Sequence, residues 1–319
     1  MNRWAIALGP DGKGRDVDPA RACVTGESAF TWVHLDGNAG ETAEWLRGQG
    51  TLPPTVAQAL TATETRPRCD AIDNGALVNL RGPIDGGQPE DDRLASIRIW
   101  AERARAISVS FRPLAGLGDL RGVMQAGGIK DPGDLVSQLA IGITRRLDPT
   151  IADLGDMVDD CETALDPDNA FETRRQIAAA RADAITYRRF VMPQREALSR
   201  MADLEVDWLE PDDRLHLRET ADRFARMGEE LEAVRERAAL IHEQLTDIRS
   251  EQIERRSLLI AVVALIFLPL TFITGLLGMN VEGIPGAHSP WAFAIVCGIC
   301  AVVAVAITGW FVMAHWFRR

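Results

Sequence analysis

Charge is almost absent from the last fifth of the chain. Of 319 residues, 46 are acidic and 35 basic, yet from Ser257 to Arg319 the only formal charges are Glu282, Arg318 and Arg319. The first 256 residues therefore hold 45 acids and 33 bases, a net of −12. A body this acidic excludes unspecific nucleic-acid binding, which sets Lys and Arg against phosphate; it suits the attraction of cations. A disulfide framework is missing too, because the cysteines are five and scattered, at 23, 69, 161, 297 and 300. The opening MNRWAIALGP has too short an apolar stretch for a secretory signal, so the amino terminus is expected in the cytoplasm. No internal repeat or low-complexity segment occurs. With 46% hydrophobic and 25% charged residues, a disordered or collagen-like chain is excluded.

Catalytic signatures are equally scarce. Gly9-Pro-Asp-Gly-Lys-Gly14 lacks the GxxxxGK[ST] spacing of a phosphate loop and reads as a turn. His242-Glu243 opens like HExxH, but position 246 is Thr, so the second zinc ligand is missing. Cys69 and Cys161 have no companion at ligand spacing, and Cys297-Gly-Ile-Cys300 lies among small residues in an apolar run. Asp153, Asp156, Asp159, Asp160 and Glu162 line up carboxylates along one helix. That chemistry suits hard divalent ions, but such runs are usually solvated faces. No nucleophile–base pair stands out, so neither an enzyme nor a bound cofactor is expected.

What the charge-poor region does contain is two long apolar runs. Leu258–Gly278 and Trp291–Phe311 are each 21 residues without a charge, about 31 Å of helix and one hydrocarbon core. Trp291 and Trp310 stand at the two ends of the second run, where interfacial aromatics belong. Arg255-Arg256 precede the first run, Arg318-Arg319 follow the second, and the connecting loop has no Lys or Arg. The positive-inside rule then places both termini in the cytoplasm and the loop, Met279–Pro290, outside. In the first run Ala261, Ala264, Leu268, Thr271 and Gly275 recur at three- and four-residue steps. This is a narrow face of small residues that fits either helix packing or a pore lining.

Ahead of the spans, Leu217, Ala221, Phe224, Met227, Leu231, Val234, Ala238, Ile241, Leu245, Ile248 and Gln252 mark a heptad seam with one early stammer. The pattern predicts one helix from about Asp212 to Gly278, about 100 Å long. Its seam must be covered by other helices, in cis or in trans, and it is expected to hold copies of the chain together. Asp168–Glu205 predicts a second helix, kinked at Pro193 and folded back on the first. Asp131-Pro-Gly-Asp134 opens another that reaches about Leu165. The first 125 residues predict strands at Trp4–Leu8, Ala29–Leu35, Ala76–Arg81, Leu94–Ala101 and Ala106–Phe111, with helices at Glu41–Gln49 and Pro54–Thr61. Three parts are expected: an α/β domain over 1–167, a helical hairpin and stalk over 168–256, and a two-helix transmembrane domain over 257–319.

The segment Pro269-Leu-Thr-Phe-Ile-Thr-Gly-Leu-Leu-Gly278-Met279-Asn280-Val281-Glu282 resembles the CorA superfamily of divalent-cation transporters, which carries Gly-Met-Asn at the outer end of the penultimate span. Trp32-Val-His-Leu-Asp36, Arg66-Pro-Arg-Cys-Asp70, Asn74–Arg81 and Gly283-Ile-Pro-Gly286 are similar to its ZntB-type zinc transporters. Leu277 stands where the magnesium branch commonly has Tyr, whereas Glu282 keeps an acid that branch tends to carry. The resemblance implies an α/β cytoplasmic domain, a long helical stalk and two C-terminal transmembrane helices in the plasma (inner) membrane. It also implies a homopentamer around a central pore. Gly278, Met279 and Asn280 would form the ion mouth, with Glu282 in the outer loop and Ala261, Ala264, Leu268, Thr271 and Gly275 lining the pore. Asn280 would meet the hydrated ion. The expected cargo is Zn2+, with a Mg2+ (or Co2+/Ni2+) channel as the alternative, protons as possible co-substrates, lipid as surroundings and no nucleic acid. A membrane-tethered sensor fits the architecture less well, because it gives no reason for Gly-Met-Asn.

Overall fold

The computed structural model describes residues 3–19, 22, 29–49, 51–63, 66–86, 94–166, 169–279, 284, 286 and 289–316, with the side chains of 314–316 excepted. The chain divides into two compact units, Met1–His242 and Glu243–Arg319, and one helix belongs to both.

Among the described residues the first unit is built on seven strands: β1 (Trp4–Leu8), β2 (Gly14–Val17), β3 (Thr31–Asp36), β4 (Arg68–Ile72), β5 (Gly75–Pro83), β6 (Leu94–Glu102) and β7 (Arg105–Ser110). They lie in the order β2-β1-β3-β7-β6-β5-β4. Every pairing is antiparallel except β3 with β7. Helices α1 (Gly40–Gly48) and α2 (Pro54–Thr61) follow β3 and cover one face. There Leu46, Val56 and Leu60 pack with Val33, Leu35, Leu77, Trp100, Ile107 and Val109. The helices α4 (Pro132–Thr163) and α5 (Ala170–Ala202) contact β4, β5 and β6. At Gly82 a Cβ would run into Ile143 of α4, at 2.9 Å. Burial on both faces explains why β5 and β6 read as nearly continuous apolar runs rather than alternating ones.

Two strands and one helix were not anticipated from the sequence. β2 and β4 are the two edges of the sheet, short and mostly exposed. α3 (Leu117–Gln125) carries two glycines, Gly118 and Gly122, which lower its helical propensity. The turn at Gly9–Gly14 is a plain hairpin connection: Gly9 N donates to Lys13 O at 2.9 Å and Gly12 takes a positive φ of 73°. Gly82 extends β5 through Pro83, and the rest of the turn-rich 82–92 stretch lies partly outside the described residues.

α6 (Pro211–Leu277) is a single helix of 67 residues, and α5 folds back against its start. Arg214 donates to the carbonyls of Ala202 and Leu204 at 2.9 and 2.6 Å, Arg218 pairs with Asp203 at 2.9 Å and Arg188 with Glu232 at 3.1 Å. The heptad seam corrects one expectation. Leu217, Ala221, Phe224, Met227, Leu231, Val234, Ala238 and Ile241 are all buried within a single chain. A second copy is not required to cover them, because α4 and α5 already flank α6 there. Arg237 of α6 binds Glu162 of α4 at 2.6 Å and also pairs with Asp159. Two carboxylates of the acidic row are thereby engaged with a guanidinium. Among the described residues no three His, Cys, Asp or Glu side chains come together as a metal cluster.

Candidate functional site

Among the described residues, two helices are long and apolar enough to cross a membrane: α6, with a mean hydropathy of 2.6 over its most apolar window, and α7 (Ala292–Trp316), with 2.5. In the second unit Val262, Ile266, Pro269, Leu270 and Ile273 of α6 are half-buried. So are Val296, Cys300, Val303, Ala304, Ile307 and Phe311 of α7. Each set falls on one stripe at three- and four-residue steps, as two helices paired along a seam would require. The sequence-predicted lining residues Ala261, Ala264, Leu268, Thr271 and Gly275 are all exposed. At 3.6 residues per turn they lie on the opposite side of α6 from its half-buried stripe.

The polar groups of this exposed stripe are not free donors. Thr271 donates its hydroxyl proton to Phe267 O at 2.8 Å, and Thr274 donates to Leu270 O at 2.9 Å. Each hydroxyl oxygen keeps its lone pairs and is an acceptor only. Pro269 has no N–H, so the carbonyl four residues earlier, on Leu265, has no helical donor from it. The stripe thus offers small side chains and neutral oxygens. Gly275 has nothing within 4 Å of where a Cβ would sit.

At the end of α6, Gly278 N still donates to Thr274 O at 2.9 Å. A Cβ on Gly278 would lie 2.9 Å from that same carbonyl oxygen, too close for any other residue without moving backbone. The first position of the tripeptide is therefore sterically restricted, a reason that pattern reading did not supply. Met279 is 47% exposed. Asn280 and Glu282 lie outside the described residues. Beyond them, Gly286 has a φ of 78° and accepts from Ser289 N at 3.0 Å. Ser289 then starts α7: its carbonyl accepts from Ala292 N at 3.1 Å and its Oγ from Trp291 N at 3.4 Å.

In the motif segments of the first unit, Trp32, His34 and Cys69 are buried. Trp32 Nε1 donates to Ser108 Oγ at 2.9 Å, and His34 Nδ1 lies 2.9 Å from the same hydroxyl. Burial pushes His34 down to about 4, so the ring is neutral at pH 7. Burial pushes the Cys69 thiol up to about 12, which keeps it protonated.

A family described as CorA-like Mg2+ transporter protein matches residues 27–319. The zinc transport protein ZntB of Yersinia pseudotuberculosis is 30% identical over 307 residues, 96% of this chain and 94% of that protein. The divalent cation transporter CmaX of Pseudomonas aeruginosa is 35% identical over 295 residues, 90% of this chain and 86% of its own. The solved structure of full-length CmaX superposes with a TM-score of 0.78 at 31% identity, covering 98% of this chain and 96% of that one. A sheet domain, one very long helix and a second apolar helix near the C-terminus are shared over nearly the full length. The chain belongs to the CorA-like family of divalent-cation transporters.

Proposed function

We propose that the protein carries Zn2+ across the plasma membrane through the central pore of a homopentamer, with Gly278-Met279-Asn280 at the outer mouth. The observation that carries this reading is the exposed stripe Ala261–Ala264–Leu268–Thr271–Gly275, turned away from the half-buried side of α6. Five copies of such a stripe line a narrow path with small groups and neutral acceptors. Neutral oxygens hold the water shell of a divalent ion without trapping it. Leu258–Gly278 contains no Asp, Glu, His or Cys to replace that shell, so the ion passes largely hydrated. Asn280 contributes an amide oxygen to the waters, and Glu282 gathers cations ahead of the mouth. The three parts 1–167, 168–256 and 257–319 serve as cytoplasmic domain, stalk and pore, with both termini in the cytoplasm. Zinc is chosen over magnesium on the likeness to ZntB and on Leu277, where the magnesium branch commonly has Tyr.

Flux into proteoliposomes tests this directly. Wild type should take up zinc in competition with magnesium, and Asn280→Ala and Asn280→Asp should abolish uptake. The aspartate places up to five charges where neutral acceptors are needed. Magnesium flux without zinc uptake overturns the choice of ion. Near-normal flux in Asn280→Gly, which keeps a helix stop but removes the amide, overturns the mouth.

A further inference from the structure

With the α6 seam covered inside one chain, copies must be joined through other faces. α5 carries seven arginines against three acids, in a cytoplasmic body whose net charge is −12. Arg181, Arg188 and Arg195 recur along it every seven residues, interleaved with Ala178 and Ile185. On the side of α6 opposite its seam, Asp222, Glu229 and Glu236 recur at the same interval, interleaved with Ala233 and Leu240. Both stripes are exposed, and they include two large apolar side chains, Ile185 at 49% and Leu240 at 59%. Arg188 pairs with Glu232 of its own chain. Among the described residues the side chains of Arg181, Arg195, Asp222, Glu229 and Glu236 make no ion pair or hydrogen bond. Arg226 follows Asp222 on its stripe, so the acid row is strongest at Glu229 and Glu236.

Within one chain α5 runs antiparallel to α6. Arg188 meets Glu232 at 3.1 Å, and Met192 Sδ lies 2.5 Å from where a Cβ on Gly228 would sit. These two contacts fix which residues of the two helices share a level. Copies in one membrane with one topology are related by rotation, and rotation about an axis along α6 keeps every level. A common shift of two to three residues, about 3–4.5 Å of rise, then brings both stripes into full register. Arg181 meets Glu236, Arg188 meets Glu229 and Arg195 meets Asp222. The interleaved positions match as well, Leu240 on Ala178 and Ile185 on Ala233, large against small. We infer that neighbouring copies meet along these stripes, α5 of one against α6 of the next. The contact rests on the homopentamer proposed above and names the surfaces that build it. It joins two different faces, so it repeats from copy to copy and closes as a ring. Packing the acid rows of two α6 helices together would instead oppose like charges.

Cross-linking between copies tests it on the full-length protein in detergent. Two chains, one with Ala178→Cys and one with Leu240→Cys, carry different tags, lack every native cysteine and are co-expressed. The mass of the purified assembly is measured by light scattering before a short bis-maleimide is added. A linked pair bearing both tags is expected, and neither chain expressed alone should give a linked pair. Arg181→Glu in both chains sets carboxylate against carboxylate and should remove most of the link. Adding Glu236→Arg should restore it, because the reversed pair attracts again. A pentameric mass without the mixed link overturns the interface and leaves the pentamer standing. A monomeric mass overturns the two together. A link that Arg181→Glu leaves unchanged overturns the charge pairing on which the register rests.

Discussion

Gly278 and Asp213 show how single positions carry demands that composition hides. Gly278 is fixed by space: Thr274 O stands 2.9 Å from where its Cβ would be, whereas the Cβ of Gly275 would meet nothing. Gly278→Ala must push the helix end aside at about 1–3 kcal/mol, enough for a loss of the working geometry of about fivefold or more. Zinc uptake in proteoliposomes should fall accordingly while far-UV circular dichroism stays unchanged. Full uptake by Gly278→Ala would show that the helix end relaxes freely. Asp213, buried at the start of α6, accepts from Glu210 N at 3.1 Å. Its pKa is pushed up to about 7, first by burial and then by Asp131, with Asp134 and Glu210 adding to the effect. The folded state thus holds a proton that the unfolded chain releases near 3.8. This contribution is fully present below about pH 4 and is lost as pH rises through 7. Asp213→Asn keeps an acceptor without the charge. It should therefore unfold at a higher temperature than wild type at pH 8, by on the order of 2–4 kcal/mol, with no advantage at pH 4. A melting difference independent of pH would refute the buried-proton account.

Elements with strong periodicity were legible in the sequence, and those set by tertiary context were not. β1 and α2 fall where β-branched content and a helix-start proline put them, at Trp4–Leu8 and Pro54–Thr61. β2 and β4 escaped because an edge strand has few buried side chains and no apolar run to announce it. The seam of α6 was read at the correct residues, but its partner could not be: a heptad stripe specifies that something covers it, not which chain does. Its burial within one chain leads to a test. Phe224→Ala and Leu231→Ala should each cost about 2–5 kcal/mol, and Leu240→Ala, at 59% exposure, far less. Denaturant unfolding of the full chain, followed by tryptophan fluorescence, should give the same loss at every protein concentration. A loss that grows on dilution would place the seam between copies instead. At the candidate site, the small-residue stripe and Gly-Met-Asn were visible as pattern, whereas the crowding at Gly278 and the inward-bonded hydroxyl of Thr271 depend on backbone geometry.

For the whole molecule, the open question passes from the seam to the exposed face of α6. A single chain leaves Leu268 74% exposed on the small-residue stripe and Val302 and Val305 of α7 69% and 72% exposed, on the side of α7 away from its own half-buried stripe. Both faces are apolar, so burial in one chain does not distinguish a face that meets water in a pore from one that meets lipid. Chemistry does, because a water-soluble thiol reagent reacts with a thiolate, and thiolates form in water and not in hydrocarbon. On a background with every native cysteine replaced, Ala264→Cys, Thr271→Cys and Gly275→Cys should be modified by a charged methanethiosulfonate. Zinc should slow the reaction at those positions, since the hydrated ion occupies the same path. Val302→Cys and Val305→Cys should stay unmodified. In the same series Ala287→Cys should react from outside and Arg318→Cys only after the membrane is opened, as the arginine asymmetry requires. Reaction at Val305→Cys with none at Thr271→Cys would assign the water path to α7 and the stripe on α6 to lipid, and the pore reading would fall with it.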